Sequence, residues 1–280
     1  MAINPRFQRL ALLTGSETLE ACARTRVMVF GVGGVGSWCA EALVRSGIGD
    51  LAVVDSDRVC VTNINRQVQA VSSTLGQAKV EALKARLLEI NPGCRVQAFG
   101  RVFSRAAADS FTIETADYII DAIDSLTYKL DLIEAAAQRG IRLYASMGMA
   151  RKLDPTQLKI ADIWETQGCA LARLVRSGLR KRGFQGHFTV VYSAEQLPFQ
   201  RGIPVSCGSA QCHCPTRAFK EDEAGNPSVE WCSSKKAING SAVPVTAAAG
   251  MILASLVIRD IYARYTPEPE QEALLEAARV

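Results

Sequence analysis

The sequence predicts an α/β fold, a Rossmann-like, doubly wound and mostly parallel sheet with a C-terminal extension and a crossover loop. Three observations carry that expectation. Short apolar strand patterns alternate with helical ones over the first two-thirds of the chain. The strand patterns are continuous apolar runs, as in parallel strands buried on both faces. A glycine-rich turn, Gly31-Val32-Gly33-Gly34-Val35-Gly36, separates the first strand pattern from a helical one.

In chain order, Arg26–Phe30 (RVMVF) is a predicted strand, Gly31 to Gly36 the tight turn, and Ser37 to Arg45 an Ala/Leu-rich helix. Leu51 to Val54 is the second strand and runs into Asp55. After a polar loop, Val80, Leu83, Leu87 and Ile90 recur at three- and four-residue steps, predicting a helix from Gln77 to Ile90 that Asn91-Pro92-Gly93 stops. Arg95–Phe99, Tyr118–Ile120 and Arg142–Ala145 are further strands separated by helices. Beyond Ser146 the pattern changes: Gln157–Ile163 and Phe188–Tyr192 are predicted strands flanking a basic helix, Leu171 to Arg182. Ser193 to Ala237 is irregular and rich in Gly, Pro, Ser and Cys, a length of loop that usually has a function. Ala242 to Ile258 is the longest apolar stretch; it is near the minimum for a bilayer span but carries Pro244 and Thr246, and is read as a buried helix. From Thr266 the tail is charged, with a short last helix.

The 280 residues are 48% hydrophobic and 21% charged, with a formal charge of +4. That is an ordinary soluble composition whose basic excess is compatible with a polyanionic partner. The N-terminus carries no secretory pattern. Nine Cys, several of them (Cys22, Cys39, Cys60, Cys94) inside predicted elements, favour reduced thiols and a cytoplasmic location over a disulfide scaffold. Only two His are present, His187 and His213, which argues against a histidine dyad or a three-histidine metal site.

The glycine turn lets the backbone approach a phosphate and aims the next helix's N–H groups at it. Asp55, at the end of the second strand, is placed to accept ribose hydroxyls. These features suit NAD as well as ATP. The cations that follow separate the two: Asp55-Ser-Asp57, then Asn63-Ile-Asn-Arg66-Gln67, then Gly76-Gln-Ala-Lys79. A dinucleotide's phosphates are held mostly by backbone. Attack at the α-phosphorus of a triphosphate develops negative charge that Arg66 and Lys79 can stabilise, with Asn63 supplying an amide hydrogen bond. Asp121-Ala-Ile-Asp124 closes another strand over the nucleotide crevice, where Asp124 is placed to bind Mg²⁺ on the phosphates.

Taken together, GxGGxG, Asp55-x-Asp57, Asn63-x-x-Arg66-Gln67, Gly76-Gln-x-Lys79 and Asp121-x-x-Asp124 resemble the ATP site of the ubiquitin-activating-enzyme-like superfamily, over about Arg6 to Ala150. Arg6-Phe7-Gln8-Arg9 resembles that family's Arg-aromatic-x-Arg segment. The resemblance implies that Arg9 acts in the partner's site and that the protein is a homodimer. By itself Arg9 reads as a surface charge.

Sulfur-carrier activators of the superfamily usually carry two Cys-x-x-Cys pairs; this chain has none. Asp154-Pro-Thr-Gln-Leu158, Ala161-Asp-Ile-Trp-Glu-Thr166, Leu171 to Gly183, and Val191-Tyr-Ser193 with Glu195 instead resemble the bacterial tRNA threonylcarbamoyladenosine dehydratases. That resemblance implies adenylation of the threonyl carboxylate beside the anticodon and ring closure with loss of AMP. Closure is intramolecular, so no enzyme thiol is needed as acyl acceptor. The alternative substrate is the C-terminal glycine of a ubiquitin-like sulfur-carrier protein. Arg173, Arg176, Arg180, Lys181 and Arg182 either neutralise tRNA phosphates or form a solvated basic face that complements the helix C-terminus.

Cys207, Cys212, Cys214 and Cys232, around His213, admit two readings: a structural zinc site, or free thiols, one of them receiving sulfur from a cysteine desulfurase system. The chain is read as a single adenylating domain over 1–280. Its ATP-binding core spans about 24–150, a substrate-binding extension and crossover loop about 151–240, and a C-terminal helix about 242–265. No stable membrane association is expected.

Overall fold

The computed structural model describes residues 4–197 and 239–265. Its strands are β1 (Arg26–Phe30), β2 (Asp50–Val54), β3 (Arg95–Phe99), β4 (Tyr118–Asp121), β5 (Arg142–Ser146), β6 (Leu158–Asp162) and β7 (Thr189–Ser193). They form one sheet in the order β3-β2-β1-β4-β5-β7-β6. All pairings are parallel except β6 with β7, where Ile160 faces Val191. The order reverses between β1 and β4. Crossovers leave in opposite directions there, which opens a crevice at the strands' C-terminal ends.

The helices are α1 (Gln8–Arg24), α2 (Gly36–Arg45), α3 (Lys79–Ile90), α4 (Leu126–Gln138), α5 (Ala170–Lys181) and α6 (Val243–Tyr265). Alternation along the strands feeds two cores. Val27 and Val29 of β1 pack with Leu43 of α2, Leu83 of α3 and Leu253 of α6. Met28 and Phe30 face the other way, with Phe111, Ile133 of α4 and Val175 of α5. The central strands β1, β2 and β4 are buried almost throughout, as their unbroken apolar runs predict.

Strand and helix boundaries differ from expectation by a residue or two, for local reasons. Helix α3 starts at Lys79 rather than Gln77, because Gly76 adopts φ 81° and Ala78 is extended before the first turn. β6 stops at Asp162, whose side chain turns back to accept the Trp164 N–H. Ser193 belongs to β7 rather than to the irregular segment, of which 198–237 lies outside the described residues, as does the tail from Thr266.

Helix α1 is not anticipated by the sequence pattern. It breaks at Gly15 (φ 81°, ψ 162°) and leaves Leu12 and Leu13 on the surface, so no continuous apolar stripe marks it. Helix α6 continues past the apolar stretch, which ends at Ile258, to Tyr265. It is the one helix among the described residues long and apolar enough to cross a membrane by composition. Val245, Ala249, Leu253 and Val257 are nonetheless buried against the sheet side. Gly250 explains the small residues of α6: a Cβ there would stand 2.5 Å from the Val35 carbonyl oxygen at the start of α2.

Candidate active site

A cavity of about 510 Å³ opens at the C-terminal ends of β1, β2, β4 and β5. Its floor is the glycine turn, in which the glycines have different duties. Gly31 has φ 84°, and a Cβ on it would meet the Ala122 carbonyl oxygen at 2.7 Å. Gly36 lets the turn close, since a Cβ there would lie 1.9 Å from the Gly31 carbonyl oxygen. It is not among the residues that line the cavity, and in this structure its visible role is to let the turn close. Gly33 has no atom nearer than Gln67 Nε2 at 4.0 Å, and Gly34 lies under the Arg66 stem and Thr246 of α6. Gly33, Gly34 and Val35, leading into α2, line the cavity and carry the anion-binding end of that helix.

Asp55 follows β2 and holds the turn in place. Its Oδ2 accepts the Val32 N–H at 2.9 Å and its Oδ1 the Asp57 N–H at 2.9 Å. Burial pushes its carboxyl above the usual range, while Lys79 pulls it back. Asp57, expected to touch nucleotide, lines the cavity and accepts the Lys79 ammonium at 2.6 Å, with Asp55 at 4.0 Å. That pair fixes Lys79, the first residue of α3, at the cavity wall. Asp57 Oδ1 is buried without a hydrogen-bond partner, as is Gln67 Oε1. Asn63 is buried and its Oδ1 accepts the Cys60 N–H, which caps the segment that carries Arg66.

Arg66 donates to the Thr62 carbonyl and Asn65 Oδ1, both at 2.9 Å. Burial lowers its pKa and the charge of Asp124 opposes that, which places the two side chains in electrostatic reach across the cavity. Asp124 is exposed and lies three residues past the end of β4. The strand-end residue itself, Asp121, is fully buried, and its Oδ2 sits 2.8 Å from Lys129 Nζ.

Cavity residues Asp55, Asp57, Asn63, Arg66, Gln67, Lys79 and Asp124 are thus gathered by one chain. Arg9 is not. It is exposed on the first turn of α1 and does not line the cavity. Cys207, Cys212, Cys214, Cys232 and His213 lie outside the described residues. Among the described residues no group of three or more His, Cys, Asp or Glu can hold a metal. Mg²⁺ needs less: one or two carboxylates plus phosphate oxygens suffice. Asp124, an exposed carboxylate lining the cavity, offers oxygen donors that suit such a hard cation. Cys22 and Cys94 are free, and burial pushes their thiols up to about 11, away from nucleophilic use.

Three supporting residues escape sequence reading. Trp38 Nε1 donates to the Arg66 carbonyl, and Gln69 Nε2 to the Val32 carbonyl. Lys129 lies under the cavity, pairs with Asp121 and donates to the Ser146 carbonyl at 3.0 Å, joining the ends of β4 and β5. A lysine sharing a helical face with Leu132, Ile133 and Ala136 was the available signal.

A family model described as the ThiF family matches residues 7–277. The tRNA threonylcarbamoyladenosine dehydratase of Bacillus subtilis is 38% identical over 258 residues, 91% of this chain and 94% of that one. Two structures of the E. coli tRNA N6-threonylcarbamoyladenosine dehydratase are similar, both covering 94% of this chain and 98% of theirs at 30% identity. The complex with ATP gives a TM-score of 0.75 and that with AMP 0.76.

Proposed function

The chain belongs to the ThiF family, and on that premise we propose that it is an ATP-dependent dehydratase that adenylates the threonyl carboxylate of threonylcarbamoyladenosine in tRNA and drives its cyclisation. The observation that carries the reading is the meeting of a glycine turn, Asp55, Arg66, Lys79 and Asp124 around one cavity at the switch point of the sheet. Similarity to the dehydratases along nearly the whole chain supports the substrate.

In the first step the carboxylate oxygen bonds to the α-phosphorus of ATP and the bond to pyrophosphate breaks. The N-terminus of α2 and its glycine turn bind the phosphates. Asp55 takes the ribose hydroxyls. Arg66 and Lys79 face the charge that develops as the pyrophosphate leaves, and because Asp57 already holds Lys79 in place, little reorganisation is needed. Mg²⁺ held by Asp124 would neutralise phosphate charge. In the second step the carbamoyl nitrogen or oxygen attacks the acyl carbon and AMP departs, so water is lost overall and its oxygen leaves on AMP. No thiol takes part; intramolecular proximity supplies the acceptor.

The proposal extends to a homodimer, in which Arg9 of one protomer reaches the other's cavity, and to the cytoplasm. Leu12 and Leu13, next to Arg9 on α1, are 82% and 77% exposed, and a partner protomer would cover them. The test is pyrophosphate release from ATP by the purified protein. Release with tRNA carrying threonylcarbamoyladenosine, and none with a carrier protein ending in Gly-Gly, is the expected result. The reverse pattern would mark the chain as a sulfur-carrier activator and bring back the cysteine desulfurase partner. Preference for NADH over ATP would overturn both.

A further inference from the structure

We propose that the outer face of α5, together with Arg151, is the track on which the RNA phosphate backbone lies beside the cavity mouth; this rests on the reading of the substrate as tRNA. The helix contains no Asp or Glu. It buries Ala172, Val175 and Leu179 and turns Arg173, Arg180 and Lys181 to solvent. Arg173 and Arg180 are seven residues apart and so lie in one row, about 10 Å along the axis. The remaining basic residues of the segment are already engaged. Arg176 turns to the Thr166 hydroxyl, and Arg182 is paired with Asp131 and Glu134 at 2.8 Å. Arg180 lies over the Trp164 ring at 5.3 Å, which fixes its height on the surface. Arg173 and Lys181 have no ion-pair partner among the described residues. Such uncompensated cations on a rigid helix are what a polyanion's backbone binds.

The track is continuous with the active site. Leu171, in the first turn of α5, lines the cavity with Gly148, Met149 and Ala150. A Cβ on Gly148 would stand 3.4 Å from Leu171 Cβ, so the loop and the helix start touch there. The next residue along that loop is Arg151, exposed and held at φ 60°, a backbone state that suits glycine better than arginine. The chain therefore keeps a cation at the rim despite its conformational cost. An RNA lying along α5 would place a loop nucleotide over the cavity while its phosphates meet Arg151, Arg173, Arg180 and Lys181.

The experiment uses the full chain, ATP and tRNA carrying threonylcarbamoyladenosine, and follows AMP release at several KCl concentrations. The triple variant Arg173→Gln, Arg180→Gln, Lys181→Gln is expected to raise KM for tRNA by roughly tenfold to a hundredfold, with kcat and ATP binding within twofold. The slope of log(kcat/KM) against log salt should flatten by about 2–3, since each of the three phosphate contacts contributes about 0.7–0.9. Arg173→Gln alone, fully on the surface, should flatten it by about 1. A raised KM with an unchanged slope would mean lost packing and overturn the track. An unchanged KM in a protein that still turns over tRNA would overturn it and leave the dehydratase reading standing. Wild-type protein that releases pyrophosphate only with a Gly-Gly carrier would remove both.

Discussion

On the β1–β2 side of the cavity the lining is side-chain charge: Asp55, Asp57, Arg66 and Lys79. On the β5–α5 side the lining is Ser146, Met147, Gly148, Met149, Ala150 and Leu171, with no carboxylate, amine or guanidinium among them. The contrast follows the two steps of the proposed reaction. Phosphorus chemistry needs fixed charges aimed at a developing negative charge. Intramolecular ring closure needs a shaped surface that holds a nucleoside in a productive conformation. The charged wall should therefore govern kcat and the smooth wall KM. The largest effect expected is at the rim of the charged wall. Asp124→Ala should lower kcat for AMP formation by about a thousandfold, the scale of losing one transition-state contact. Asp124 is exposed, so the thermal unfolding midpoint should stay in place. Retained turnover would remove Asp124 from the metal's ligands.

The next largest effect lies under the boundary between the walls. Asp121 and Lys129 are both fully buried, and burial pushes the Asp121 carboxyl up while Lys129 draws it down. Lys129→Met would strand the carboxylate and should cost about 3–5 kcal/mol in urea unfolding. The double variant with Asp121→Asn should recover most of that loss, because two neutral groups replace a half-broken pair. If the double variant is as unstable as the single one, the lysine contributes chiefly through its bond to the Ser146 carbonyl.

The same contrast decides what the sequence disclosed. A charged phosphate site demands particular residue types at particular offsets, so the meeting of the glycine turn, Asp55, Arg66, Lys79 and Asp124 at one cavity is legible in the sequence. Even there the partners are not. The sequence does not show that Asp57 holds Lys79 or that Gly36 serves the closure of the turn. The smooth wall uses glycine, methionine and main chain, which leave no residue-type signature, and nothing in the sequence marked Gly148 or Leu171 as neighbours. The parallel sheet was legible because fully buried strands require unbroken apolar runs. Helix α1 was not, because it is interrupted at Gly15 and shows its leucines to solvent.

A variant on the smooth wall sharpens the contrast. Gly148→Val would grow a branched side chain from a Cβ already 3.4 Å from Leu171 Cβ and 3.8 Å from the Cys169 sulfur. It should raise KM for the RNA about tenfold, or about 1.4 kcal/mol, with the ATP dissociation constant unchanged. An equal loss of ATP affinity would show that the two walls are not independent.

The smallest effect tests whether the charged wall's scaffold can be weakened without touching its chemistry. Glu41 of α2 is buried, and its carboxylate accepts Arg86 of α3 at 2.5 Å and Arg45 at 2.8 Å. Burial works to raise its pKa, but the two guanidinium groups prevail and hold it below its ordinary value. A carboxyl lowered on folding contributes stability that is complete above its unfolded pKa, about 4.3. That contribution fades as pH falls through the folded value. Both arginines are partly exposed, at 39% and 55%, so solvent screens the pair. Glu41→Gln should accordingly cost only about 1 kcal/mol at pH 7, seen as a lower urea midpoint. The gap to wild type should narrow as pH is lowered through about 4 and below, while kcat at neutral pH stays the same. A gap that stays constant with pH would assign Glu41 to packing between α2 and α3, and a fall in kcat would show that strain in this scaffold reaches the glycine turn.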